Sequence, residues 1–187
     1  MAWTTPRTWA TNEQITQSLL NTHLRDNLLY LYNAFTNIAE GLVVLQEQYS
    51  SGTDGGTFTS GAWRTRLLNT EVLDADSVAS LASNQVTFDD GDYFMIGVAS
   101  AFDVASHQAR LFDVVNTATL LTGLTAYAGS SGVAGSLAFV AGPVAIANGA
   151  VVELQHQCST TQASTGFGVA GSFNTEVFSA LYAWKVG

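Results

Sequence analysis

Lysine and cysteine each occur once in this chain, at Lys185 and Cys158, and proline only twice, at Pro6 and Pro143. A lone cysteine excludes an intrachain disulfide. Charged residues fill 11% of the 187 positions, against about 25% in an average soluble domain. The surface must therefore rest on Ser, Thr, Asn, Gln and Gly, or be partly hidden by other subunits. That scarcity of charge is a first pointer to an oligomer. Cations are scarcest: the five arginines are scattered at Arg7, Arg25, Arg64, Arg66 and Arg110, and the formal net charge is -9. A nucleic-acid binder needs clustered cations to displace counterions from phosphates. Neither nucleic acid nor an anionic membrane surface is an expected partner.

Long uninterrupted apolar runs are also missing. Val133 to Val152 carries no charge, but Gly135, Ser136, Gly142, Pro143, Asn148 and Gly149 break it. A spanning helix needs about 20 predominantly apolar residues, so no membrane span is expected there. The breakers predict two buried strands around a turn at Gly142-Pro143. The opening residues, Met1 to Trp9, lack the basic start and apolar run of a secretory signal. With the single thiol, this fits synthesis and assembly in a cytoplasm.

What is present falls into two parts, 1–41 and 42–187. Residues 1–10 have no periodicity but hold Trp3, Pro6 and Trp9, and two tryptophans in so short an arm are costly to leave in water. Thr11-Asn-Glu-Gln14 has the form of a capping box and predicts a helix start at Thr11. From Leu24 the apolar residues Leu28, Leu31, Phe35 and Ile38 follow at steps of 4, 3, 4 and 3, the a/d rhythm of a coiled coil. Gly41 suits the residue after a helix end.

Beyond Gly41 the pattern alternates. Strands are predicted at 42–48, 63–69, 84–88, 93–102, 107–115, 119–127, 136–140, 150–157, 166–170 and 176–186. Turn clusters lie between them, including Asp89-Asp-Gly-Asp92, Ala128-Gly-Ser-Ser-Gly132, Asn148-Gly149 and Ser159-Thr-Thr-Gln162. Many short strands at this spacing predict a mainly β chain, an antiparallel sandwich of jelly-roll type.

Little of it reads as chemistry. His23, His107 and His156 stand in no recognised motif, and neither a Gly-x-Ser-x-Gly elbow nor a phosphate-binding loop occurs. No enzyme activity and no cofactor are expected. His156-Gln-Cys158 could offer two soft ligands from one side of a strand, but a zinc site wants four, and a core histidine with a buried cysteine is the simpler reading. Asp89-Asp-Gly-Asp92 has oxygens that suit calcium, without EF-hand spacing, and reads as a hairpin turn. No metal site is assigned. Arg64, Arg66 and Arg110 sit among apolar neighbours and need partners, expected from Glu71, Asp103, Asp113 or Glu153.

Several stretches together resemble a known group. Thr5-Pro-Arg-Thr-Trp9 followed by Leu20-Asn-Thr-His-Leu-Arg-Asp-Asn-Leu28 is similar to the start of phage and prophage virion proteins. Gly55-Gly-Thr-Phe-Thr-Ser-Gly-Ala-Trp-Arg-Thr-Arg66, Leu68-Asn-Thr-Glu71, His107-Gln-Ala-Arg-Leu111, Glu153-Leu-Gln-His-Gln-Cys158 and Gly166-Phe-Gly168 resemble their head domain. That domain is similar to the trimeric jelly rolls of the C1q and tumour-necrosis-factor class. The resemblance implies a homotrimeric virion protein, a tail fibre or a capsid decoration (head fibre), assembled in the host cytoplasm. Residues 1–40 would contact other virion proteins, with Trp3, Pro6 and Trp9 as attachment anchors. Leu24, Leu28, Leu31, Phe35 and Ile38 would line the trimer helix. The alternative is a tail-fibre tip that binds a host surface glycan or protein.

Overall fold

The computed structural model describes residues 3–36, 41–129, 134–147 and 149–186. The chain divides into two compact units, Met1–Glu40 and Gly41–Gly187.

In the first unit the helix does not start at Thr11. Asn12 takes a left-handed φ of 62°, and the Glu13 N–H closes a turn onto the Ala10 carbonyl at 3.1 Å. The Glu13 carboxylate turns back to accept from the Ala10 N–H at 3.0 Å and to pair with Arg7. The start passes to Thr16, extended at φ -92° and ψ 158°, whose hydroxyl accepts from the Leu19 N–H. From there α1 (Gln17–Leu20) runs through a π-helical turn, Asn21–Arg25, into α2 (Asp26–Thr36). Ile38 lies outside the described residues, and so does the side chain of Phe35.

The second unit is a sandwich of two antiparallel sheets. Its strands are β1 (Leu42–Tyr49), β2 (Arg64–Thr65), β3 (Thr70–Asp74), β4 (Ala79–Ala82), β5 (Gln85–Phe88), β6 (Gly91–Phe102), β7 (Ser106–Asp113), β8 (Ala118–Tyr127), β9 (Gly135–Ile146), β10 (Val151–Cys158) and β11 (Glu176–Lys185). One sheet has the order β3-β1-β11-β6-β9; the other has β4-β5-β10-β7-β8, with β2 paired to β10. Alternation decides which side faces in. Val43 and Leu45, Tyr93 and Met95, and Leu181 and Ala183 enter the core from the first sheet, meeting Val86, Leu111, Val152 and Leu154 from the second.

Four expectations change here. Gly142-Pro143 is no turn: β9 runs through both, with Pro143 opposite Phe94. Proline is tolerated because β9 is the edge strand, whose outer side needs no donor. Asp89–Asp92 makes no hairpin. Gly91 and Asp92 already belong to β6, and the segment carries the chain from one sheet to the other. Only Arg64–Thr65 of 63–69 is a strand, while β3 and β4 were not foreseen. Residues 166–170 form a loop, because Gly168 (φ 147°) passes so close to Phe178 that a Cβ would sit 2.2 Å from its ring. No described helix is long and apolar enough to cross a membrane.

Candidate functional site

The two outer faces of the sandwich differ sharply in chemistry. On the β3-β1-β11-β6-β9 sheet, residues alternate with the core positions and register in rows. Leu42, Trp184, Phe94 and Pro143 form one row, and Val44, Tyr182, Ile96 and Ala141 the next. Gln46, Ala180, Val98 and Phe139 form a third, with Leu137 opposite Ser100 beyond it. No charged residue stands in these rows. Phe94 is 41% exposed, Phe139 44% and Leu137 55%, while the Tyr182 and Trp184 rings stack 6.5 Å apart. A contiguous apolar patch of this kind marks an interaction surface on a soluble protein. Beside it, β8 and β9 close the side of the sandwich: a Cβ on Gly123 would lie 2.3 Å from the Phe139 carbonyl oxygen. That edge presents Leu124, 74% exposed, and Tyr127.

The opposite face is polar and laced with side-chain bonds. Arg110 donates from Nε and Nη2 to Gln155 Oε1 at 2.9 and 2.7 Å, and from Nη1 to Thr119 at 3.0 Å. Its guanidinium lies 4.3 Å from the Trp63 ring centroid and 4.2 Å from that of Phe112. Glu153 accepts from Thr65, Gln85 and Gln155. Burial pushes its carboxyl pKa up, but those bonds and Arg110 outweigh burial and leave it below the usual value. Glu153, foreseen as a partner for the arginines, forms no ion pair with one among the described residues and feels Arg110 only through its charge. Asp113 instead accepts from the backbone of Val115, Asn116 and Val151, and Arg64 donates to the Thr59 carbonyl.

Arg66 finds a partner the sequence reading missed. Its side chain is fully buried, and Nη2 stands 2.7 Å from Glu47 Oε2. Nε donates to the same oxygen at 2.9 Å, while Nη1 and Nη2 reach the carbonyls of Ser100, Phe167 and Phe178. Ser179 donates to Glu47 as well. Desolvation lowers the Arg66 pKa and Glu47 opposes that. The signal was legible: Val43, Leu45 and Glu47 alternate on β1, so Glu47 points inward with the core.

The histidines also meet inside the sandwich. His107 Nδ1 lies 2.9 Å from His156 Nε2, and His107 Nε2 lies 2.6 Å from Ser136 Oγ. The order Ser–His–His has the spacing of nucleophile, base and orienting group. Burial first, then Arg66, lowers the His107 pKa to about 4, which makes it a poor proton acceptor near neutrality. We read the chain as a tie between sheets. Cys158 is buried on the same side of β10 as His156, with its sulfur directed to the Phe58 and Thr160 carbonyls. Burial pushes its thiol up to about 11. Among the described residues no three His, Cys, Asp or Glu side chains converge as a metal site.

In the first unit the arm lies on its own helix. The Asn27 side chain accepts from the Thr4 N–H at 3.0 Å and donates to the Thr4 carbonyl at 2.9 Å. Trp3 packs 5.8 Å from Tyr30, Trp9 stands edge-on to His23, and Arg7 covers Trp9. Pro6 lies exposed between them. Trp3 and Trp9 keep more than two-fifths of their surface exposed. Leu24, Leu28 and Leu31 lie on a neighbouring stripe of the helix and are 55%, 57% and 39% exposed.

Comparison with known proteins bears on the sandwich. No protein family matches the sequence, and no curated protein does. Among solved structures, the globular domain of zebrafish complement 1qA protein matches with TM-score 0.50 at 11% identity, covering 79% of this chain and 98% of that one. Murine APRIL at pH 5.0 matches with TM-score 0.50 at 13% identity, covering 78% and 98%. The PRD1 vertex protein P5 matches with TM-score 0.48 at 14% identity, covering 78% and 96%. The sandwich therefore has the jelly-roll fold seen in the C1q globular domain and in APRIL.

Proposed function

We propose that this chain is a structural virion protein of a bacteriophage, a homotrimeric appendage attached through residues 1–41. The observation that carries the trimer is the set of apolar rows, with no charged side chain among them, on the outer face of β1, β11, β6 and β9. A cyclic trimer needs heterologous contact, two different patches on each subunit that fit one another. The apolar face supplies one patch, and the β8–β9 edge with Leu124 and Tyr127 supplies the other. Covering one half-exposed Phe or Leu returns about 1 kcal/mol, so these side chains together give a firm contact. Leu24, Leu28 and Leu31 extend the same logic to the helix, and Trp3 and Trp9 keep enough free surface to anchor in a neighbouring virion protein.

The virion assignment rests on the N-terminal stretches quoted above, Thr5 to Trp9 and Leu20 to Leu28. In this reading the protein performs no chemistry. Both a fibre tip and a capsid decoration fit a trimer of a 187-residue chain. Antibody-labelled electron microscopy of the particles tests it: label at one defined position on the particle is expected, and particles without label would overturn the assignment. A receptor-binding role has one observation in its favour. The polar face, with Gln108, Gln155, Gln157 and Trp63, carries the amide and aromatic groups that suit a glycan, and it is the face left outward in the proposed trimer.

A further inference from the structure

His107, Ser136 and His156 come from three strands and two sheets, and the chain of bonds through them is a polar crossing between the sheets. The His107 ring on β7 bridges to Ser136 on β9, in the facing sheet, and to His156 on β10. His156 is fully buried, and its Nδ1 has no hydrogen-bond partner. Its ring packs 4.7 Å from Phe58, which stacks 4.4 Å from Phe167. Phe58 and Phe167 belong to a satellite cluster, separate from the main core, with Ala101, Val104, Ala128 and Cys158. Phe58 and Gln162 exchange backbone bonds at 2.9 and 3.1 Å. The histidines thus back the loops around 58 and 159–168.

We propose that the Ser136–His107–His156 chain is an acid-sensitive latch, whose protonation frees the Phe58 and Phe167 loops while the central strands stay paired. Each neutral ring carries one N–H and one lone pair, so the His107–His156 link needs one ring to donate and the other to accept, which two protonated rings cannot do. A first proton leaves a buried cation beside Arg66. A second sets two N–H donors against each other at the 2.9 Å contact.

The groups facing the pair offer no relief. Arg66, from the segment after β2, acts on both rings and disfavours their charge. Arg64, the register partner of His156 on β2, adds a cation turned toward Thr59. Glu47 on β1 is bound by Arg66 and Ser179. Ser136 on β9 is neutral, and Cys158 keeps its proton. No carboxylate contributes to either histidine's shift.

The sign follows from linkage. Both folded pKa values lie below the unfolded value of about 6.5, His107 at about 4 and His156 well below its usual value. The stability they hold is complete above about pH 6.5 and is lost as pH falls toward the folded values. Well below pH 6.5, opening should rise about tenfold per pH unit for each proton taken up; from pH 6.5, where the open state is already half protonated, to pH 5.0 the rise is about 15-fold for one histidine. Hydrogen exchange of the full chain, corrected for intrinsic rates, tests this. Peptides covering 56–60 and 159–168 should lose protection over that range, while those of β6 and β11 hold theirs. The double variant His107→Gln, His156→Gln should flatten the response. The proposal is overturned by equal loss in that variant, or by wild-type protection that stays level to pH 5.0. If the variant does not fold, the wild-type onset decides. Glu153 and Glu176 have lowered pKa values, so an opening driven by them begins only below about pH 4.5, and such an onset also refutes the latch.

Discussion

Replacing Glu47 by alanine should be among the most damaging single changes in the sandwich. The substitution removes the one carboxylate that pairs with Arg66 among the described residues, while the guanidinium stays fully buried. Breaking a buried pair by removing one partner costs about 3–5 kcal/mol, because the remaining charge is uncompensated. Ser179 and Tyr49 also lose the acceptor they share. Arg66→Met should cost a similar amount for a different reason. It strands Glu47 and leaves the carbonyls of Ser100, Phe167 and Phe178 short of a donor. In the double variant Glu47→Leu, Arg66→Met both charges are gone, and apolar replacement of a buried pair is often near neutral. The carbonyls still want donors, at about 1–3 kcal/mol for each left unsatisfied. The double variant should therefore recover part of the loss, well short of the sum of the single costs. Urea unfolding at one fixed protomer concentration gives the four free energies of this cycle. A Glu47→Ala cost below about 1 kcal/mol, or strict additivity in the cycle, would refute the reasoning.

Two further outcomes concern the first unit. Leu28→Asp with Leu31→Asp should abolish helical circular dichroism and leave the β signal intact. On a helix that stays exposed, such surface changes stay within about 0.5 kcal/mol, so an unchanged helix would show that the stripe is not a subunit contact. Removal of residues 1–10, or Trp3→Ala with Trp9→Ala, should leave a soluble sandwich that no longer enters particles, at about 2 kcal/mol lost per anchor. Normal incorporation would move the attachment to the helix or the sandwich.

The long central strands were legible because alternation is strong where one face is fully buried, as in Tyr93, Met95 and Ala99 of β6. The reading failed where the chain bends local rules for tertiary reasons. Pro143 looks like a turn residue until β9 is known to be an edge. Gly166 and Gly168 look like strand neighbours of Phe167 until Phe58 and Phe178 are seen to press on them. The helix start moved because Arg7 holds Glu13, a pairing across a turn that no capping pattern reveals. Glu47 was available from alternation alone, since an inward carboxylate on β1 must have a cation. The His107–His156 contact was not, because the register of β7 against β10 brings together residues 49 positions apart.

The account depends on the apolar sheet face being covered by other copies of the chain. Light scattering on the purified protein, over a hundredfold range of concentration, measures this directly. The expected mass is about three times the 19.7 kDa chain, and Phe94→Asp with Phe139→Asp should lower it, because charges at a buried contact lose their hydration without a partner. A wild-type protein that stays at 19.7 kDa at every concentration would contradict the account.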